Sequence, residues 1–290
     1  MMYRSTAVTF VLLLSTAASG EQLVALVEPV VGEQLLYVFD SATPAVGATA
    51  VISGLGNSEQ LLAIDYRPLT GELYGLSSGS AIYTIAASTG IATKVGSGFT
   101  DALNGGNFGF DFNPVIDRIR IVSDADQNLV AHPDTGNANV ATTFAVAYGT
   151  GDVNEGAQPN VVHHAYDGVV FGALATSTQL RAIDSNLDIL VSQANNAGTL
   201  GTIGPLGVDA EDIGGFDIAT TGNAFAAMSD GVGSVTSTLY SIDLDTGAAT
   251  SIGAIPYTVW GLAANPVPEP NSLGLLTFLT LVTMSYLRTR

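Results

Sequence analysis

From about Gln22 to Pro266 short apolar runs alternate with turn residues, and the runs fall into repeating sets. One set is LLAIDYRPLTGELYGLSSGSAIYTIAASTGIATKVGS, from Leu61 to Ser97, and the next opens FGFDFNPVIDRIRIVSDADQNLVAHPDTG at Phe108. A third opens VVHHAYDGVVFGALATSTQLRAIDSNLDILVSQ at Val161, and a fourth opens IGGFDIATTGNAFAAMSDG at Ile213. Each reads as an apolar strand ending in Asp, a turn, a second and a third strand, a further turn and a fourth strand. Short apolar runs bounded by Gly, Pro, Asn and Asp are the pattern of strands, and no stretch of the body has the period of a long amphipathic helix. The last turn of a set repeats as Ser88-Thr89-Gly90, Asp134-Thr135-Gly136 and Asp245-Thr246-Gly247. There Ser or Asp accepts hydrogen bonds from backbone amides, and Gly supplies positive φ.

The strand-end residues Asp65, Asp111, Asp167 and Asp217 give a period of 46 to 56 positions. Four short strands in a period of about 40–50 residues is the mark of a β-propeller blade. Two fragments are left over. Val259 to Pro266 matches a first strand with nothing after it, while Leu23–Val27, Leu35–Asp40 and Val46–Ser53 are three strands with no first strand. Together they make one more blade, which closes the ring and removes exposed sheet edges. The expected fold is therefore all-β: a β-propeller over residues 21–266, of five four-stranded blades closed by strands from both chain ends. A sixth blade would need strands within Ala147–Asn160, whose GTGDVNEGAQPN is turn-rich and reads as an insertion. A β-sandwich fits the composition but not the period.

The two ends read as addresses. Residues 1–20 have Arg4, an apolar core from Ala7 to Leu14 and small residues after it, the order of a secretory signal peptide. At the other end, over residues 267–290, Val267-Pro268-Glu269-Pro270 precedes an apolar run from Leu273 to Leu287 and a basic terminus with Arg288 and Arg290. The run is shorter than the roughly 20 residues of a comfortable membrane span. The terminal arginines would hold its end on the cytoplasmic side. This order resembles the PEP-CTERM sorting signal of Gram-negative bacteria. The resemblance implies that an exosortase, a membrane protease, recognises Pro268, Glu269 and Pro270 and removes the tail. The membrane would then hold the chain through that segment before processing.

Composition narrows the chemistry. Without Arg4, Arg288, Arg290 and Glu269, the totals of 8 basic and 26 acidic residues leave five against 25, a body charge near −20. Such a surface repels phosphate backbones, which argues against nucleic acid as a partner. The absence of Cys excludes disulfides, thiolate metal sites and Cys nucleophiles. No Gly-x-Ser-x-Gly elbow leading from a strand into a helix, and no Gly-rich loop before a helix, occurs.

The candidate metal set is Asp65, Asp111, Asp167 and Asp217. Inner strands line a propeller's channel, so carboxylates at equivalent strand ends could ring a hard cation such as Ca²⁺. The competing reading makes each Asp a cap of its own hairpin, with no cofactor at all. Asp124-Ala-Asp126-Gln-Asn128 resembles the opening of a calcium loop but lacks the following Gly and the distal Glu. His163 and His164, adjacent on one strand, point to opposite faces and are poorly placed to share an ion. Arg118 and Arg120 share a strand face and are expected to form structural ion pairs with local acids such as Asp117, Asp111 or Asp124.

GFDFNPVIDRIRIVSD, with the QNL and HPDTG that follow it, resembles a family of secreted bacterial proteins defined as a domain of unknown function. LLAIDYRPLTGELYGL and AGTLGTIGPLGVDAEDIGGFDI resemble it too, and the likeness spans roughly Gln22 to Asn265. It implies a propeller-like body and brings no catalytic residues with it. The function expected is that of an exported, non-enzymatic binding or structural propeller of the cell envelope or extracellular matrix, with exopolysaccharide or envelope components as partners. The alternative is a metal-dependent propeller hydrolase, acting on lactones or glycans through channel carboxylates.

Overall fold

The computed structural model describes residues 20–266, so the expected sorting tail and all but the last residue of the expected signal peptide lie outside the described residues. All regular structure among them is β, in five small sheets. Blade I, from the axis outward, is β20 (Val259–Ala264), β1 (Gln22–Val30), β2 (Glu33–Asp40) and β3 (Gly47–Val51). Blade II is β4 (Leu61–Arg67), β5 (Glu72–Ser77), β6 (Ala81–Ala86) and β7 (Ile91–Val95). Blade III is β8 (Phe108–Asn113), β9 (Arg118–Ser123) and β10 (Asn128–Ala131). Blade IV is β12 (Val161–Tyr166), β13 (Leu180–Asp184), β14 (Ile189–Ala194), β15 (Thr199–Pro205) and, outermost, β11 (Ala147–Tyr148). Blade V is β16 (Gly214–Ile218), β17 (Ala224–Ser229), β18 (Ser237–Ile242) and β19 (Ala249–Ile255). The five inner strands β20, β4, β8, β12 and β16 pack in that order around the axis, giving the five-bladed propeller that the repeat predicts.

Closure comes from the chain ends. The last strand, β20, pairs antiparallel with β1 from Leu23↔Ala264 to Val27↔Val259. Beyond it the Asn265 amide donates to the Gln22 carbonyl at 2.9 Å. Inner strands are buried on both faces because each blade is sandwiched between two others, and all six residues of β8 are buried. Apolar clusters fill the junctions: Leu23, Phe225, Leu239 and Leu262 between blades V and I, and Tyr74, Phe110, Phe112 and Ile121 between II and III. Five inner strands leave little room at the centre, and glycine lets them approach. A Cβ on Gly215 would lie 2.3 Å from the Leu262 nitrogen, and one on Gly109 would lie 2.6 Å from the His164 ring. The void among these strands is about 20 Å³, room for a single water molecule.

The uniform count of four strands per blade is corrected at the junction of blades III and IV. Blade III stops at three strands. After Ala131 the chain turns through His132–Gly136 and keeps one backbone bond to β10, from the Val140 amide to the Val130 carbonyl. It then crosses over: the amides of Phe144, Ala147 and Gly149 donate to the carbonyls of Asn196, Gly198 and Leu200. Three amides of this segment thus pair with blade IV, where β11 lies parallel to β15 as a fifth strand, while the Val146 amide stays on the Asp126 carbonyl of blade III. The segment expected to be a plain insertion begins with that two-residue strand and is turns and loop after it.

Candidate functional site

Three of the four aspartates proposed from the repeat meet on the axis. Asp65, Asp111 and Asp217 are buried, and each offers a carboxylate oxygen within 4.8 Å of the others'. Each also ties its blade to the next. The Phe112 amide donates to Asp65 Oδ2 at 2.8 Å, the Tyr166 amide to Asp111 Oδ1 at 3.0 Å, and the Ala264 amide to Asp217 Oδ2 at 2.5 Å. Asp65 and Asp217 also accept from the residue that follows them, Tyr66 at 2.7 Å and Ile218 at 2.6 Å. Burial, then the charge of Asp217, drives the Asp65 carboxyl well above the ordinary range. Burial and the charges of Asp65 and Asp217 do the same to Asp111. Asp217 is pushed up to about 6, again by burial, against the pull of its two amides.

Asp167 does not join them. In each staple the donor amide follows the matching position of the next blade by one residue, so the matching positions are Asp65, Asp111, Ala165, Asp217 and Ala263. Asp167 lies two residues past its place: β4 and β12 carry the same bulge, after Leu61 and after Val161, and counted from it Ala165 stands where Asp65 does, while β12 ends at Tyr166. Its carboxylate caps the base of the following loop, accepting from the Gln179 amide at 2.6 Å. That loop reaches back over the ends of β4 and β8, with the Gly172 amide on the Pro68 carbonyl and the Ala175 amide on the Pro114 carbonyl. Ala165 and Ala263 leave space on the axis that the three carboxylates share.

The histidines split as strand geometry requires. His163 Nε2 lies 3.0 Å from the Glu211 carbonyl, towards blade V. His164 packs on Gly109 of blade III, and neither of its ring nitrogens has a partner. Burial holds both below the usual imidazole range, His164 at about 3, with the Arg120 charge second among its causes. Both are neutral at physiological pH. The calcium-loop reading of Asp124–Asn128 also fails, because the side chains have separate tasks. Asp124 accepts from the Gly106 and Asn107 amides, Asp126 from Gln158, and Asn128 from Arg120.

The arginines correct a second expectation. Arg118 and Arg120 form no ion pair among the described residues; the arginine that does is Arg67. Arg67 holds Asp117 with two bonds, Nε to Oδ1 at 2.9 Å and Nη2 to Oδ2 at 2.5 Å, and reaches Asp134 at 2.7 Å. Arg118 turns its guanidinium to the carbonyls of Ile116 and Asp117. Arg120, buried, meets only neutral groups: Asn128 Oδ1 at 2.8 Å, Asn196 Oδ1 at 2.7 Å and the Tyr166 hydroxyl at 3.4 Å. It lines a cleft of about 480 Å³ between blades III and IV, together with Asn113, Ile116, Thr176, Ser177 and Asn196. A larger cleft of about 750 Å³ lies between blades I and II, walled by Val38, Tyr66, Leu73, Ile85 and Ile91. The Asn195–Asn196 turn carries no signal in the sequence. Its role depends on blade IV standing beside blade III.

Comparison with known proteins places the chain in a family and finds distant similarity to solved structures. A family model described as Domain of unknown function (DUF4394) matches residues 35–263. A search of curated proteins gives no match. Among solved structures the chain is similar to the hydrazine synthase of Kuenenia stuttgartiensis, at 12% identity and a TM-score of 0.40. That match covers 66% of this chain and 47% of the other, so the chain spans about half the length of that protein.

Proposed function

Because the chain belongs to the DUF4394 family, a domain of unknown function that brings no activity with it, we propose a function from the geometry. The body is a rigid, non-enzymatic binding scaffold of the cell envelope, exported by its leader and sorted by an exosortase acting on Pro268–Pro270. One observation carries the scaffold reading: the centre of the ring is a fastening. Its void is about 20 Å³, and Asp65, Asp111 and Asp217 each engage a backbone amide of the next blade. Small-molecule sites generally occupy some 300–1,000 Å³, and the clefts of that size lie outside, between blades. Exopolysaccharide or other envelope components are the partners this reading supplies. For the sorting step, the chain is expressed in a Gram-negative host with and without an exosortase, and the mass of the mature protein is read. Loss of the C-terminal tail only in the exosortase host, prevented by Glu269→Ala, is expected; an intact tail in both hosts refutes sorting.

The second reading, a metal-dependent hydrolase, has one observation in its favour, the three carboxylates with oxygens within 4.8 Å. Protons and a cation such as Ca²⁺ would compete for that cluster, and Asp111→Asn separates them. Asp111 uses one oxygen for the Tyr166 amide, so an Asn keeps that bond and turns an NH₂ towards Asp65 and Asp217. The folded carboxyls sit above their unfolded values, so the folded state keeps protons that the unfolded chain has released. The share of Asp217 is full below about pH 4 and is lost as pH rises through about 6. Those of Asp65 and Asp111, held well above the ordinary range by burial and by neighbouring carboxylate charge, are likewise lost as pH rises. With protons in the cluster, Asp111→Asn is expected to leave melting unchanged at pH 4. At pH 8 it should raise melting by about 2–8 °C, equivalent to about 1–2 kcal/mol. With Ca²⁺ in the cluster, wild-type melting rises on adding Ca²⁺ and falls with chelator, and the variant loses that response. A wild-type melt indifferent to both removes the basis of the hydrolase reading.

A further inference from the structure

The junction of blades III and IV holds more unmet polar chemistry than its apolar packing explains. Its hydrophobic cluster, with Val122, Val146, Ala182, Val191 and Leu200, sits beside a buried cation without a counter-charge. Arg120 is 3% exposed. An unpaired charge in that position is costly, and proteins normally pair it. This chain does so elsewhere, since Arg67 is also buried and has two carboxylates. Arg120 has two amide oxygens and a phenol instead. Its register partner on β8, Asp111, turns its carboxylate to the axis and the Tyr166 amide. Three guanidinium N–H groups are engaged, which leaves one on each terminal nitrogen uncommitted.

The facing side of blade IV adds an independent sign. Gln193 pairs with Leu180, and Leu180 with Tyr166, so Gln193 shares the face that carries Tyr166 towards blade III. It is 5% exposed, and neither its amide oxygen nor its amide nitrogen has a partner. His164, on the same face, is likewise unpartnered at both nitrogens. A buried cation, an idle amide and an idle imidazole thus gather at one junction. Above them the cleft opens through exposed Thr176, Ser177, Asn195 and Asn196 and an aliphatic wall at Val115 and Ile116.

We propose that this cleft binds a carboxylate-bearing saccharide, with the carboxylate on Arg120 at the floor and the sugar hydroxyls on the Asn, Thr and Ser rim. A planar guanidinium matches a carboxylate with two parallel bonds. Neutral amides and hydroxyls complement hydroxyl groups, and the Val115–Ile116 wall suits the C–H face of a pyranose ring. The volume lies in the usual range for small-ligand sites. A body charge near −20 makes a monoanion with many hydroxyls a better match than a multiply charged anion.

This site deepens the reading of the body as a binding scaffold. Its test is made in solution and is blind to sorting, so either can fail while the other stands. The full chain is titrated by calorimetry with galacturonate, glucose and inorganic sulfate. Heat with galacturonate, and none with glucose at the same concentration, is the expected result. Asn196→Asp places a carboxylate against the guanidinium from an exposed position. It should weaken galacturonate binding at least about tenfold while melting stays level or rises, which separates a lost site from a lost fold. Arg120→Gln should abolish binding if the chain still melts cooperatively. No heat with galacturonate, equal binding of glucose or sulfate, or unimpaired binding by Asn196→Asp overturns the proposal.

Discussion

Ending the chain at Thr258 is expected to abolish cooperative folding, the largest effect any single change here should produce. The deletion removes β20, the inner strand of blade I, and with it the partner of β1 from Leu23 to Val27. Burying Val259 and Leu262 alone contributes about 3–6 kcal/mol, and both are buried where blades V and I meet. Ala264 also donates to Asp217, so its loss frees a buried carboxylate on the axis. These losses together reach the whole stability of a typical domain, about 5–15 kcal/mol. Blades II and V would be left facing a gap, and β1 would become an open edge with unpaired amides. Circular dichroism melts should show no cooperative transition for the truncated chain. A peptide of residues 258–266 added in excess should restore one by refilling the gap. A truncated chain that melts within a few degrees of the full one would mean that β20 does not close the ring.

The second largest effect is expected at Arg67. Its guanidinium fastens blade II to the β8–β9 turn of blade III through two bonds to Asp117, and those partners are 8% and 14% exposed. Arg67→Ala leaves Asp117 half-sealed without its cation, a change that costs about 3–5 kcal/mol when one partner of a buried pair is removed. For a domain of this size that lowers melting by roughly 6–20 °C. Arg67→Lys should fall between, since an ammonium cannot reproduce the planar two-bond fork. The Asp134 arm weighs much less. That side chain is 60% exposed, so solvent screens the pair, and Asp134→Asn should cost no more than about 1 kcal/mol. Urea denaturation of the three variants reads the order directly. An Arg67→Ala protein within about 1 kcal/mol of wild type would show that the fork is incidental.

The residues explain which features could be read in advance. The five-bladed ring was legible because each blade repeats the same local pattern, and the orphan strands at the two ends had only each other. Asp65, Asp111 and Asp217 were legible as a set for the same reason. Asp167 was misleading. It ends its apolar run as the others do, but β4 and β12 share the same bulge, and counted from it Ala165, not Asp167, stands where Asp65 does. The apolar run of this blade is two residues longer before its Asp, and a pattern of apolar runs does not mark which residue reaches the axis. The ion pairs were misassigned for a different reason. Arg67 finds Asp117 and Asp134 at separations of 50 and 67 residues. Arg120 meets Asn196 at a separation of 76. Nearby acids looked like the natural partners of Arg118 and Arg120, yet blade-to-blade packing decides who meets whom. Blade III loses its fourth strand through the same long-range pairing, because the amides of Phe144, Ala147 and Gly149 bond to blade IV.

The position of β20 also fixes how the ring would bear load. A pull applied beyond residue 266 enters at the innermost strand, where Asn265 is bonded to Gln22 beside the first pair of the β1–β20 ladder. Directed along the strand, that pull loads all the pairs from Leu23↔Ala264 to Val27↔Val259 in shear, so they resist together rather than peeling one at a time. The neighbouring inner strands β4 and β16 grip the same element from either side. A tether at this end would therefore drag the ring from its hub, and the outer strands would feel the strain last.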